Sequence, residues 1–120
     1  MESKSIQISI PEYKTESVAG KEVVKYLLKI NCDGKKWDIY RRYNEFDVLK
    51  DDLSKKHGGL PSMPGKSLFT MDKQQFAEKR KVGLESFMRK LVERQDVYAN
   101  EIFLDFLKVV HSDGLFTWIV

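Results

Sequence analysis

Cysteine, histidine and proline are scarce in this sequence, and each scarcity narrows the chemistry open to it. The single cysteine, Cys32, allows no internal disulfide and no thiolate metal cluster. It stands in the turn-like stretch Asn31-Cys32-Asp33-Gly34 with no histidine beside it in sequence, which reads as a passive thiol in a reducing compartment. There are two histidines, His57 and His111. The first follows a helical stretch beside two glycines and the second ends another. Neither accompanies a serine–acid or cysteine arrangement of recognisable spacing, and no glycine-rich phosphate loop is present. The sequence therefore points away from an enzyme, and it offers nothing that asks for a cofactor or metal. No apolar run approaches the roughly 18 residues of a membrane span, and no basic–apolar–small leader opens the chain. The expectation is a cytosolic protein whose contact with a membrane is peripheral.

What is present suits one domain. The 120 residues suffice for a single core, and 42% hydrophobic with 32% charged residues is ordinary for a soluble globular protein. The 21 basic and 18 acidic residues leave a net charge of +3, too little to announce nucleic acid but compatible with an anionic surface. There is no internal repeat and no low-complexity segment.

Hydrophobic periodicity orders the chain. Ile6, Ile8 and Ile10 alternate with polar residues and predict a first strand that Pro11 ends. The polar stretch from Glu12 to Lys21 reads as a loop. Val24, Tyr26, Leu28 and Ile30 predict a second strand, Asp33-Gly34 a hairpin turn, and Trp37 to Arg41 the returning strand. A helix is expected from about Glu45 to Lys56, capped by Asn44 and stopped at His57-Gly58-Gly59. Leu60-Pro61-Ser62-Met63-Pro64-Gly65-Lys66 forbids helix and sheet alike. A short loop, Ser67 to Met71, precedes a long helix that opens near Asp72 and carries the stripe Leu84, Phe87, Met88, Leu91 and Val92. A last helix presents Ile102, Phe103, Phe106, Leu107 and Val110. The expected fold is α+β: a three-stranded antiparallel meander packed against a helical layer, with the proline-rich loop between the first and second long helices. Residues 1–110 make the domain. Residues 111–120 form a C-terminal tail whose apolar end, Leu115 to Val120, either packs back on the core or marks where a longer protein was cut.

The stretch around which this organisation turns is Arg41-Arg42-Tyr43-Asn44-Glu45-Phe46. Here a period of two, with Trp37, Ile39 and Arg41 on one face, gives way to the helical spacing of Phe46, Leu49 and Leu53. Two arginines and a tyrosine are held at a strand–helix corner. Arginine grips phosphate through paired hydrogen bonds, and a tyrosine face packs against a ring. Two more cations accompany them. Lys66 follows the proline-rich turn and is presented from a stiff loop. Arg80 falls on the apolar stripe of the long helix, between Phe76 and Leu84, where a charge is costly unless it meets a partner or a wet cleft.

Arg41-Arg42-Tyr43-x-x-Phe46, then Pro61-x-x-Pro64-x-Lys66, then Arg80 in a long helix, resembles the phosphoinositide-binding phox-homology (PX) domain of the sorting-nexin kind. The likeness covers roughly Ile6 to Val110. It implies that Arg42 grips the 3-phosphate of the inositol headgroup and that Tyr43 lies beneath the inositol ring. It also implies that Lys66 meets the 1-phosphate and that Arg80 bonds the ring hydroxyls at positions 4 and 5. The resemblance places Leu68, Phe69 and Met71 on a loop that enters the bilayer interface, with Arg41 and Lys79-Arg80-Lys81 adding diffuse attraction to anionic lipid. The implied partner is phosphatidylinositol 3-phosphate on the cytosolic face of endosomal membranes, in sorting or trafficking, with protein partners possible in a longer parent chain.

A second reading rests on Pro61-Ser62-Met63-Pro64, which has the P-x-x-P spacing read by polyproline-binding domains, and makes the chain a protein-interaction module. A nucleic-acid partner is not expected, because acidic residues nearly balance the basic ones and no recognition helix stands out.

Overall fold

The computed structural model of the chain describes residues 5–65 and 72–109. Strands β1 (Ile6–Val18), β2 (Lys21–Cys32) and β3 (Lys35–Arg42) form an antiparallel sheet in the order β1-β2-β3. Helices α1 (Tyr43–Ser54), α2 (Lys73–Val92), α3 (Gln95–Tyr98) and α4 (Glu101–Leu107) follow. The meander and its helical cover make an α+β fold, as the periodicity predicts. Its core joins Ile6, Ile8, Ile10, Tyr26, Leu28, Ile30 and Ile39 of the sheet to apolar stripes of three helices. Those stripes are Phe46, Leu49 and Leu53 on α1, Leu84, Phe87, Met88 and Leu91 on α2, and Phe103 and Leu107 on α4.

Three boundaries differ from expectation. β1 does not stop at Pro11, and Glu12 to Lys21 is not a loop: the strand runs on to Val18 and turns through Ala19 and Gly20, both at positive φ (52° and 79°). Pro11 falls where the register slips between Ser9 and Glu12, so its missing N–H removes no ladder bond. On the N-terminal side of Lys25, β2 lacks β3 as a neighbour, and the β1–β2 ribbon continues alone. Such a ribbon buries little on either face and leaves no alternation to read. Ion pairs of Glu16 with Lys14 and Lys25 dress it instead, and the Lys25 hydrogen bond holds the Glu16 carboxyl below its usual range.

The cap of α1 is Arg42, not Asn44. β3 passes into α1 without an intervening loop, and Glu45 Oε1 reaches back to accept from the Arg42 N–H at 2.8 Å.

The expected last helix is broken in two. Asn100 caps α4 by accepting from Ile102 N–H at 2.7 Å. With Oδ1 so engaged, the Asn100 amide donates to His57 Nε2 at 3.0 Å, which leaves the proton on Nδ1 to face Asp96 Oδ2 at 3.2 Å. The Arg94 hydrogen bond to Asp96 holds that carboxyl low, and Arg94 also donates to the carbonyls of Gly58 and Gly59. His57 is thus a structural link between the end of α1 and the start of α4.

β1 is an edge strand, and one polar stripe of α2 satisfies its backbone. Lys81 Nζ donates to the Pro11 carbonyl at 3.0 Å. Glu85 Oε2 accepts from Ile10 N–H at 2.8 Å, and Arg89 Nε donates to the Ile8 carbonyl at 3.2 Å. The spacing of four residues matches one face of a helix. Replacing Glu85 with alanine strands a part-buried N–H and should destabilise the fold by about 1–3 kcal/mol. Glu85→Gln keeps an acceptor oxygen and should recover most of that loss. Denaturant titrations of the three proteins check this, and equal stability of the alanine variant and the parent would refute the role.

Candidate functional site: the strand–helix corner

The corner between β3 and α1 separates two adjacent arginines completely. Alternation turns Arg41 inward, where Nη2 and Nε donate to the Phe106 carbonyl at 2.7 and 3.2 Å and Nη1 pairs with Glu45 at 3.2 Å. Its guanidinium also lies 4.9 Å from the Phe106 ring centroid. Trp37, two positions back on the same face, donates to the Leu107 carbonyl at 2.8 Å. Two β3 side chains thus take up carbonyls that the C-terminus of α4 leaves without helical partners. This corrects the expectation that Arg41 serves diffuse lipid attraction: only 16% of its side chain is exposed, and its charge is committed inside the fold.

Arg42 faces the other way. It is exposed, and among the described residues no carboxylate pairs with its guanidinium. It lines an open cavity of about 310 Å³ together with Glu22, Val23, Val24, Tyr26, Tyr43, Asn44 and Arg80. Three residues picked out from sequence, Arg42, Tyr43 and Arg80, therefore meet at one cavity. Lys66, Leu68, Phe69 and Met71 lie outside the described residues.

Aromatic contacts resolve the question of a charge on the apolar stripe of α2. The Arg80 guanidinium carbon lies 3.7 Å from the centroid of the Tyr43 ring and 4.3 Å from that of Phe76. Flat cation faces against flat rings are favourable, and they leave the guanidinium edge for hydrogen bonds. One edge nitrogen, Nη2, approaches the Gly65 carbonyl at 3.4 Å. Below it Tyr26 is buried, which pushes its phenol up, while the charge and hydrogen bond of Arg80 pull it partly back.

The proline-rich turn is folded into this corner. Tyr43 donates its hydroxyl to the Pro64 carbonyl at 2.7 Å. Pro64 also lies against α2 at Gly83, where an added Cβ would stand 2.9 Å from the Pro64 Cβ. Glycine is thus required by close approach, in the middle of a helix where it otherwise costs stability. A turn packed this way orients the segment that follows it. Its Pro64 end faces the protein, which disfavours recognition of the P-x-x-P by a partner domain.

Sequence reasoning missed Tyr26, Glu22, Asn44 and Phe76. Tyr26 alternates with Leu28 and reads as core, which it also is. Phe76 belongs to the helical pattern but not to its buried stripe. Glu22 carries no signal at all, since it falls between the stretch read as a loop and the alternation that begins at Val24. Among the described residues no cluster of acids, histidines or cysteines suits a metal ion, and no helix is long and apolar enough to cross a membrane.

Comparison with known proteins bears on this corner. A family model described as "PX domain" matches residues 31–110. The chain is 27% identical over 104 residues to the serine/threonine-protein kinase Sgk3 of Rattus norvegicus, covering 85% of this chain and 21% of that protein. It is 39% identical over 57 residues to sorting nexin-11 of Homo sapiens, covering 46% of this chain and 21% of that protein. It thus spans about a fifth of the length of these relatives. Among solved structures, a designed CISK-PX domain superposes with a TM-score of 0.76 at 31% identity, over 83% of this chain and 96% of that one. The mouse SNX19 PX domain, with bound sulphate ion, shares the fold at a TM-score of 0.69 and 24% identity, covering 89% and 99% of the two chains.

Adjacent arginines with opposite surroundings give opposite expected phenotypes. Arg41→Ala removes charge-assisted bonds to a helix end and should destabilise the domain by about 1.5–3 kcal/mol. Arg42→Ala removes a solvent-facing side chain and should leave the melting temperature within a degree or two of the parent, since surface changes stay within about 0.5 kcal/mol. Thermal melts of the pair measure this directly. Equal destabilisation would contradict the division.

Proposed function

From the premise that this chain belongs to the PX domain family, the phosphoinositide-binding membrane-targeting modules found in sorting nexins, we propose that it binds phosphatidylinositol 3-phosphate and brings its parent protein to endosomal membranes. The observation that carries the reading is Arg42. It is an exposed guanidinium with no carboxylate partner among the described residues, at the mouth of a cavity whose other cation is oriented by two rings.

In this reading Arg42 binds the 3-phosphate through paired hydrogen bonds, and Tyr43 supports the inositol ring. Arg80, held flat by its rings, offers its edge to the hydroxyls at positions 4 and 5. Lys66 follows Gly65 in the chain and would meet the 1-phosphate as a point charge. Leu68, Phe69 and Met71 would enter the bilayer interface beside the pocket. A preference for one ring phosphate over several has two supports. The cavity, about 310 Å³, is at the small end for a ligand site. Glu22 also lines it, and a carboxylate there repels any additional phosphate.

Soluble inositol headgroups differing only in phosphate position test the lipid choice. The 3-phosphate should bind most tightly, and Arg42→Ala should lose about 2–4 kcal/mol of that affinity, enough to take a micromolar site out of range. Arg41→Ala, where folded, should bind like the parent. Equal affinity for the 3-phosphate and 4,5-bisphosphate headgroups would sink the specificity, and parental binding by Arg42→Ala would sink the site.

The membrane loop has its own test. Phe69→Glu should weaken binding to vesicles carrying the lipid roughly ten-fold or more, since burying such a side chain is worth about 1.5–3 kcal/mol, while soluble-headgroup affinity stays the same. If both affinities respond, or neither does, the loop has another role.

A further inference from the structure

A second surface lies beyond the corner, where α1 and α4 leave a groove of about 430 Å³. Its floor is Leu49 and Phe106. Its walls carry Val48 and Ile102, which are 57% and 36% exposed and are two of the large apolar side chains that the fold leaves uncovered. Val48 stands one turn from both Asn44 and Asp52 on α1, so the apolar strip spans about two turns, roughly 12 Å. That is room for one or two large side chains.

The rim is acidic. Glu45, Asp52 and Asp105 border the groove, and among the described residues Arg41 is its only basic lining residue. Arg41 is already committed to Glu45 and the Phe106 carbonyl. Among the described residues Asp52 pairs only with Lys55, whose side chain is 75% exposed, and none pairs with the Asp105 carboxylate. Two carboxylates at the lip of an apolar trough thus keep most of their field in a protein that is basic overall. An anionic bilayer or a nucleic acid is repelled by such a rim. The chain's own terminal segment, Leu115-Phe116-Thr117-Trp118-Ile119-Val120, offers apolar residues but no cation to match it.

From this complementarity we infer that the α1–α4 groove is a docking site for a short amphipathic segment of a protein partner. That segment carries one or two leucine-sized side chains on one helical face, flanked by lysine or arginine. The apolar anchors fill the trough between Val48 and Ile102, and the flanking cations pair with Asp52 and Asp105. Docking there does not cover the cavity lined by Arg42 and Arg80, so the partner and a membrane can be held at once. The site is independent of the headgroup reading, although Asn44 borders both cavities.

The probe is a short amidated peptide with two leucines one helical turn apart and lysines on either side, titrated into the labelled domain and followed by NMR. Shift changes should concentrate on Val48, Leu49, Ile102 and Phe106. Val48→Glu, and separately the pair Asp52→Lys with Asp105→Lys, should each weaken binding roughly ten-fold or more. Replacing the leucines with serine should abolish it, and a glutamate version of the peptide should bind only the lysine double variant. Headgroup titrations on the same samples report folding and an intact lipid site, so failure of one site is distinguishable from failure of the other. Four results would overturn the proposal. They are no binding by the lysine peptide, indifference to the leucines, shifts mapping away from the groove, and parental affinity in Val48→Glu. A parent dimer in sedimentation that Val48→Glu dissociates would assign the groove to a second copy instead, and loss of the groove on restoring residues 111–120 to a truncated chain would assign it to the tail.

Discussion

Everything at the corner depends on how α2 sits along β1. A helix packed on an edge strand through apolar contacts alone can slide or rotate, because such contacts are non-directional. Here Lys81, Glu85 and Arg89 address successive backbone groups of β1, one acceptor between two donors. Hydrogen bonds at fixed sites allow one register. The irregularity at Pro11 supplies part of the key, since the Ile10 N–H that Glu85 takes belongs to the stretch where β1 and β2 are out of register. Arg80 immediately precedes the first of these three residues. Fixing the register therefore fixes where that guanidinium arrives, and it also brings Gly83 against Pro64.

Two further constraints converge on the same point from other elements. Arg41 and Trp37 bind the end of α4, which holds β3 at a set angle to the helical layer. Glu45 closes the first turn of α1 directly on the end of β3. Tyr43 consequently has no loop to wander in. Its ring receives Arg80 and its hydroxyl donates to the Pro64 carbonyl. The described part of this cavity is thus organised by contacts within the fold, which on the proposed reading leaves it little ordering entropy to lose on binding.

Residue patterns made much of this legible. Burial on one face gives Ile6, Ile8 and Ile10 their alternation, and the apolar stripe of α2 its helical period, so strands, helices and their order could be read directly. The strand–helix corner was visible because the period changes there within three residues. What stayed hidden has a common physical cause: it is polar, or it depends on partners distant in sequence. The ribbon from Glu12 to Lys21 buries no continuous face, so it reads as a loop, and the start of β2 at Lys21 and Glu22 goes unseen with it. Nothing local in Lys81, Glu85 and Arg89 says that β1 lies beneath them, and Lys81, expected to add attraction to anionic lipid, instead holds the Pro11 carbonyl. Arg41 and Arg42 are the same residue type side by side. Alternation separates them, but only the position of α4 shows that the inward one is structural.

Charge is distributed by surface rather than by sum. Among the described residues around the cavity, Arg42 and Arg80 face one lining carboxylate, Glu22, which also pairs with Lys73 at 3.6 Å. Around the α1–α4 groove the balance reverses, and its one arginine is spent within the fold. Exposed charges act over about a Debye length, near 8 Å at physiological salt, so neighbouring surfaces of opposite sign keep separate identities. α1 forms the boundary. Its first turn carries Tyr43 at the basic cavity, while Val48 and Asp52, further along, belong to the acidic groove. On the proposed reading, an anionic membrane drawn to the first surface would be repelled by the second, which would bias how the domain lies on a bilayer and turn the groove away from lipid. The same helix that positions the pocket thereby keeps an apolar trough accessible from the solvent side.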